Sequence, residues 1–190
     1  MSAPTGPEEH LRALVAVLQN AYSGEYAASL AYGGHAKSVS DPAERDEILV
    51  ILEQELEHRG FVGKMLADLG SSPDPFKEAL LTAIGTSIAL FCRVGGWWAP
   101  MYGAGKLEAG NIVEYEVAAR HAALGGRPEF VECLLHMAEV EWDHELYFRR
   151  KAESSVWNRL VPVWPAPPPR DSIRGRAEEY ARPSSRAAGA

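Results

Sequence analysis

The chain has 190 residues, of which 46% are hydrophobic, and a formal net charge of −7. That length suits one domain with a full-sized core, and the acidic balance excludes a general nucleic-acid surface. Its two cysteines, Cys92 and Cys133, lie in apolar stretches without a Cys-x-x-Cys pair. This excludes zinc ribbons and thiol redox motifs and suggests buried thiols in a reducing compartment. The opening MSAPTGPEEH has no basic-then-apolar leader. No apolar run reaches the ~18 residues of a membrane span; Ala79 to Cys92 is the longest candidate. The expected location is the cytoplasm.

A first helix is predicted from near Thr5, where Thr5 and Glu8 form a capping box and Pro7 fits the first turn. Leu11, Leu14, Leu18, Tyr22, Ser29 and Tyr32 step by three and four along it, and Glu25 falls on the same stripe. A carboxylate on an apolar seam costs free energy unless something pairs with it. Gly33-Gly34 weakens the helix, and a turn follows at Ser38 to Asp41. Asp41-Pro42-Ala43-Glu44 then supplies an N-cap, a first-position proline and a third-position acid. The second helix runs to Gly70 with Ile48, Leu52, Glu55, His58, Val62, Met65 and Leu69 on its seam. Glu25 lies 13 residues before Ser38 and Glu55 lies 13 after Pro42. In antiparallel helices both acids then sit at one level, ~20 Å from the turn.

Ser72-Pro73-Asp74-Pro75 breaks the chain and caps a small-residue, apolar segment from Phe76 to Arg93. It is expected to be a short helix crossing the bundle end. Gly95 to Gly103 carries Trp97 and Trp98, for which a packed corner is the preferred expectation. A third long helix is predicted from about Gly105 to Leu124, with Leu107, Gly110, Glu114, Val117 and His121 on its seam. Glu116 competes for the buried position, and Glu114 is preferred because it matches Glu141 better in level. After the Gly125-Gly126-Arg127-Pro128 turn, the fourth helix carries Phe130, Leu134, Met137, Glu141, His144 and Phe148. Residues 156–190 form a Pro-rich extension, either a packed arm or a disordered tail.

Glu55-x-x-His58 and Glu141-x-x-His144 each place a carboxylate and an imidazole on one helix face, about one turn apart. Each is preceded by a helix bearing a seam glutamate. One Glu from each of two helices and Glu-x-x-His from each of the other two is the arrangement of ferritin-like dinuclear carboxylate sites. The expected fold is therefore all-α: a ferritin-like four-helix bundle over 1–155, with a short extra helix between the hairpins and an irregular C-terminal tail. The candidate metal ligands are Glu25, Glu55, His58, Glu114, Glu141 and His144. Four buried carboxylates repel one another strongly unless cations sit between them. A carboxylate and imidazole set without thiolate suits two iron ions, with manganese as the alternative. Tyr22, Tyr26, Asp143 and His121 are candidates to orient the ligands.

These residues resemble the demethoxyubiquinone hydroxylases, small di-iron monooxygenases of ubiquinone biosynthesis. The resemblance covers about residues 10–150 and rests on Gly24-Glu25-Tyr26, Gln54, Glu55-x-x-His58, the small-residue helix after Pro73, Val113-Glu114 and Glu141-x-x-His144. It implies the same six ligands, with Glu55 and Glu141 bridging the irons. It also implies a quinone ring near the metals and a hydrophobic, membrane-facing surface, here Ile84 to Trp98. The chain departs from the family before the first Glu and after the third-helix Glu, at Ala21-Tyr22-Ser23 and Arg120-His121-Ala122. The expected function is O₂-dependent hydroxylation of a hydrophobic, quinone-like molecule by an enzyme with an external electron donor. The alternative is a non-hydroxylating iron protein: a ferroxidase, store or sensor. Peripheral membrane contact and a homodimer are further expectations, and the substrate is a hydrophobic small molecule.

Overall fold

The computed structural model describes residues 6–181, with side chains described to Arg176. Six helices account for most of it: α1 (Pro7–Ser38), α2 (Pro42–Asp68), α3 (Pro75–Phe91), α4 (Trp98–Leu124), α5 (Val131–Ser154) and α6 (Ser172–Ala181). No strand occurs among the described residues. The fold is an all-helical bundle.

The helix boundaries have local causes. Asp41 caps α2 by accepting from the Ala43 and Glu44 amides, and Asp74 caps α3 through the Phe76 and Lys77 amides. Each such cap contributes ~1 kcal/mol. Gly70, at φ 66°, turns the chain after α2. At α1, Gly6 is the N-cap and makes no side-chain cap bond. The expected Thr5 capping box lies outside the described residues. Helix α1 also runs straight through Gly33-Gly34, because both glycines face packed neighbours. The third long helix starts at Trp98, earlier than the predicted Gly105. Pro100 falls in its first turn, where a missing amide hydrogen costs nothing.

Helices α1, α2, α4 and α5 form the bundle, each antiparallel to the helices beside it. Arg59 bonds the Tyr22 carbonyl while Leu52 meets Gly33, which sets α1 against α2. Tyr32 pairs with Glu108 and Tyr115 with Glu25, which sets α1 against α4. Likewise His58 meets Glu141 and Lys151 meets Glu44, which sets α2 against α5. One core cluster, including Leu14, Leu18, Val62, Ile112 and Leu134, lies on one side of the carboxylates. A second, including Tyr32, Ile48, Met101 and Phe148, lies on the other.

Helix α3 corrects the expectation of a short helix across the bundle end. It lies parallel to α1, with Lys77 near Ala16, Gly85 against Ala27 and Gly34 against Ala89. It therefore carries the chain back along the bundle before α4 begins. A Cβ on Gly34 would lie 2.4 Å from the Ala89 Cα, and one on Gly85 would lie 2.5 Å from the Ala27 carbonyl oxygen. The two glycines let the backbones touch.

The segment after α5 packs on the bundle. Trp164 and Ile173 are buried. Arg149 donates to the Trp164 and Pro165 carbonyls, and Trp142 donates to the Pro168 carbonyl. Arg170 pairs with Asp143, Arg174 with Glu132 and Glu139, and Arg176 with Glu116. The expected irregular tail thus gives way to a helix, α6, after the proline-rich stretch. No described helix is long and apolar enough to cross a membrane.

Candidate metal centre

The fourth-helix stripe is buried throughout: Phe130, Leu134, Met137, Glu141, His144 and Phe148. Glu55 and His58 on α2 face it, and Glu25 enters from α1. The α4 acid at this level is Glu108, which is fully buried, and this corrects the expectation of Glu114. Glu114 is partly exposed, accepts from Asn20, and belongs to neither acid–histidine group. The competitor Glu116 is buried but pairs with Arg176, away from the centre.

The acids and histidines form two overlapping groups. Glu25, Glu55, His58 and Glu141 make one, and Glu55, Glu108, Glu141 and His144 make the other. Within each, one ligand atom from every residue lies within 4.8 Å of the rest. Glu55 and Glu141 belong to both. His58 Nδ1 is 2.8 Å from Glu141 Oε1 and 4.0 Å from Glu25 Oε1. His144 Nδ1 is 3.2 Å from Glu55 Oε1 and 3.7 Å from Glu141 Oε2. Either group is able to hold a metal ion.

The unpaired atoms favour a cation. Both Glu55 oxygens, Glu25 Oε2 and His144 Nδ1 are buried without a hydrogen-bond partner among the described residues. Such atoms forfeit hydration without a hydrogen bond in return, at ~1–3 kcal/mol each or more for a charge. Burial pushes Glu25 up to about 7 and raises Glu55 and Glu108 well above the usual carboxylate range. For Glu55 and Glu108 the nearby Glu141 charge adds to that rise. Glu141 moves the other way: burial, which would raise it, is outweighed by the His144 and His58 imidazoles beside it, His58 within hydrogen-bond distance. For His58, burial acts downward, but Glu141 and Glu25 prevail and raise it. Without cations, most of the acids here are thus driven toward the neutral form.

Neighbouring groups orient this set. The Tyr115 hydroxyl donates to Glu25 and the Tyr32 hydroxyl to Glu108. Asn111 donates to Glu108 at 2.9 Å and to Glu141 at 3.4 Å. Gln54 Oε1 lies 2.8 Å from His144 Nε2. A proton on Nε2, donated to that amide, leaves the Nδ1 lone pair facing Glu55 and Glu141. The expected orienting residues lie elsewhere. Tyr22 and Tyr26 stack on Arg59, Asp143 pairs with Arg170, and His121 faces His10 at the bundle end.

Comparison with known protein families, with curated proteins and with solved structures returns no match.

Two cavities open beside the acids, both between α1, α3 and α4. One, of about 180 Å³, reaches Glu25, Tyr115 and Asn111. The other, of about 240 Å³, reaches Glu108, Tyr32 and Asn111. Ala28, Ala31, Ile88 and Leu107 line both. The space exists because α1 and α4 present small residues to each other here.

Proposed function

We propose that the chain is an oxygen-activating monooxygenase of the ferritin-like type, with a dinuclear iron centre and an apolar, quinone-like substrate. The observation that carries it is the pair of Glu/His groups sharing Glu55 and Glu141, with unpartnered ligand atoms, beside an apolar cavity. The antiparallel bundle with a lengthwise helix between its two hairpins supports the ferritin-like type.

In this reading Glu25 and His58 would hold one ion and Glu108 and His144 the other, with Glu55 and Glu141 common to both groups. The donor set fits: the orphaned Glu55, Glu25 and His144 atoms are the ones left to a cation. A ferrous pair bound there would supply the two electrons that O₂ activation requires. Manganese meets the same donors. Tyr115 and Tyr32 hold the two outer carboxylates in place, and Asn111 fixes Glu108 against Glu141. Gln54 sets the tautomer of His144. Ile88 and Leu107 wall the cavity with apolar surface, so a bound apolar molecule excludes water from the Glu25 and Glu108 side.

Anaerobic loading with ferrous iron followed by O₂, with and without short-chain quinones, tests the proposal. A hydroxylated product that appears only with the quinone supports it. Plain iron oxidation, unchanged by any quinone, contradicts it and points to a ferroxidase, store or sensor. A chain that takes up no iron contradicts both.

A further inference from the structure

We propose that the turn after α5, with the aromatic rings behind it, is the docking surface for an acidic, one-electron donor protein that returns electrons to the centre. For its purpose this rests on the function proposed above, to which it adds the class of the electron donor and its point of entry.

A 3₁₀ turn, Val156–Arg159, follows α5. Val156, Trp157 and Leu160 are 77%, 52% and 74% exposed there. Residues 92–107 and 150–164 build this corner. They carry five basic residues, Arg93, Lys106, Arg150, Lys151 and Arg159, and one acid, Glu153, in a chain of net charge −7. The corner is thus a basic spot on an acidic protein. Lys106 lies one turn after Tyr102 on α4 and is exposed, as are Arg150 and Arg159. Lys151 pairs with Glu44, whereas Lys106, Arg150 and Arg159 enter no ion pair among the described residues. A small apolar centre with free cations around it suits the weak encounters of electron transfer, which bury less than ~1,200 Å². Its charge selects an acidic partner.

Behind Trp157 the rings continue inward. Centroids are 6.3 Å apart from Trp157 to Trp98, 4.8 Å from Trp98 to Tyr102 and 5.2 Å from Tyr102 to Trp164. Trp164 is buried, and its ring lies so close to Gly105 that a Cβ there would collide with it. Glu108 is three residues farther along α4, a rise of ~4.5 Å. The Trp164 indole also donates to Glu145, the neighbour of His144 in the chain. The array therefore starts in solvent and ends beside Glu108 and His144. Electron tunnelling weakens steeply with distance, and more steeply across gaps than through packed atoms, so a continuous run of rings is the favoured path. The rings themselves stay neutral. Hydroxylation consumes two electrons and two protons per O₂: one oxygen atom enters the product and the other leaves as water. Two donor molecules, each oxidised by one electron, supply the pair, and solvent supplies the protons. The exposed face of α3 is unlike this corner. It carries no charge from Ala79 to Cys92 and offers an acidic protein nothing.

The test uses the full chain and a plant-type two-iron ferredoxin, an acidic one-electron carrier, as the probe. NMR titration of the metal-free chain reads docking without any redox step. The Trp157 and Trp98 indole signals are expected to shift, and the affinity to fall about 10-fold or more from low to high salt. Lys106→Glu combined with Arg159→Glu, at two exposed positions, is expected to weaken binding about 10-fold or more. Stopped-flow mixing of reduced ferredoxin with the iron-loaded, air-oxidised chain reads electron delivery. The charge-reversed chain is expected to accept electrons from dilute ferredoxin about 10-fold more slowly, and from dithionite, which needs no docking, at the native rate. At saturating ferredoxin, Tyr102→Leu is expected to accept electrons severalfold more slowly, and Tyr102→Phe, which keeps the ring, at the native rate. Should Tyr102→Leu fail to fold, Trp157→Leu, at an exposed position, makes the same comparison. No ferredoxin binding, binding that leaves both indoles unmoved, a charge-reversed chain equal to the native one, or undiminished delivery without the ring would overturn the proposal. Binding of anionic vesicles at this corner without binding of ferredoxin would overturn it too, and assign the corner to a membrane. Docking on a chain that takes up no iron keeps the surface and removes the centre. Two bound irons that dithionite reduces, in a chain that ferredoxin does not bind, does the reverse.

Discussion

Glu55 has neither oxygen satisfied and lies among three other carboxylates. In the metal-free chain it opposes folding whenever it is ionised. Glu55→Gln, nearly the same shape without the charge, is therefore expected to raise metal-free stability at pH 8 by ~1–3 kcal/mol. The same substitution is expected to erase most of the stabilisation that added metal gives. Paired thermal melts with and without metal check both directions. Glu25 adds a pH dependence. Its folded value near 7 exceeds the ordinary carboxylate value of 4.5. Its contribution to metal-free stability is thus present below pH 4.5 and lost as pH rises through 7. A metal ion takes the place of that proton, so binding is expected to release protons at pH 6 and to tighten toward pH 7.5. Calorimetry in buffers of different ionisation enthalpy measures the release; an enthalpy independent of buffer would contradict it. His35 has the opposite sign. Its folded value near 4 lies below the ordinary imidazole value of 6.5. Stability from the neutral ring is present above pH 6.5 and declines as pH falls toward 4, by up to ~3 kcal/mol. His35→Phe is expected to remove that part of the acid loss, as urea unfolding at pH 7.5 and 5 would show.

At the scale of elements, the α1–α3 contact is the one that sets the cavities. Gly85→Ala puts a Cβ 2.5 Å from the Ala27 carbonyl oxygen, so α3 has to move outward. The expected cost is ~1–3 kcal/mol, together with weaker ligand binding in the space that α3 walls. An unchanged melting temperature would mean that the helices do not touch there. Helix α5 was the most legible element, since every residue of its predicted stripe is buried. The Glu25 and Glu55 levels were also legible, because α1 and α2 meet across a short, well-capped turn. Helix α4 was not. Leu107 and Val117 suggested an inward face, yet they are 60% and 38% exposed. The true stripe passes through Met101, Ala104, Glu108, Ile112, Tyr115, Ala119 and Ala122. Small alanines and an acid conceal such a stripe from any count of large apolar side chains. Level added to the error. A 3₁₀ turn at Pro128–Phe130 precedes α5 and rises ~2 Å per residue rather than ~1.5 Å. That adds ~1.5 Å, about one helical residue of the six between Glu114 and Glu108, so the hidden stripe is the larger cause. The orienting tyrosines were missed because Tyr32 and Tyr115 resemble ordinary core aromatics until they are set opposite Glu108 and Glu25.

The whole molecule is a bundle with two unlike long sides. On the α5 side, the segment from Trp164 to Arg176 is strapped down by Ile173 and by arginines paired with Asp143, Glu132, Glu139 and Glu116. On the α3 side, Phe76, Leu80, Ile84, Leu90 and Phe91 remain exposed, next to the mouths of the cavities. On the proposed function, an apolar molecule would enter from the α3 side, which the strap leaves open. The pattern of the two Glu-x-x-His pairs was visible in the sequence because it is local to single helices. The cavities were not, because they depend on how α3 lies against α1 and on the small residues that α1 and α4 turn toward each other.

The most direct test is the ferrous stoichiometry of the anaerobic protein, measured for the native chain, Glu108→Gln and Glu114→Gln. Two ions per chain are expected for the native protein and for Glu114→Gln, and one or fewer for Glu108→Gln. No bound iron in the native chain, or loss of iron in Glu114→Gln with Glu108→Gln intact, would contradict a centre built on Glu55 and Glu141 with Glu108 at its α4 corner.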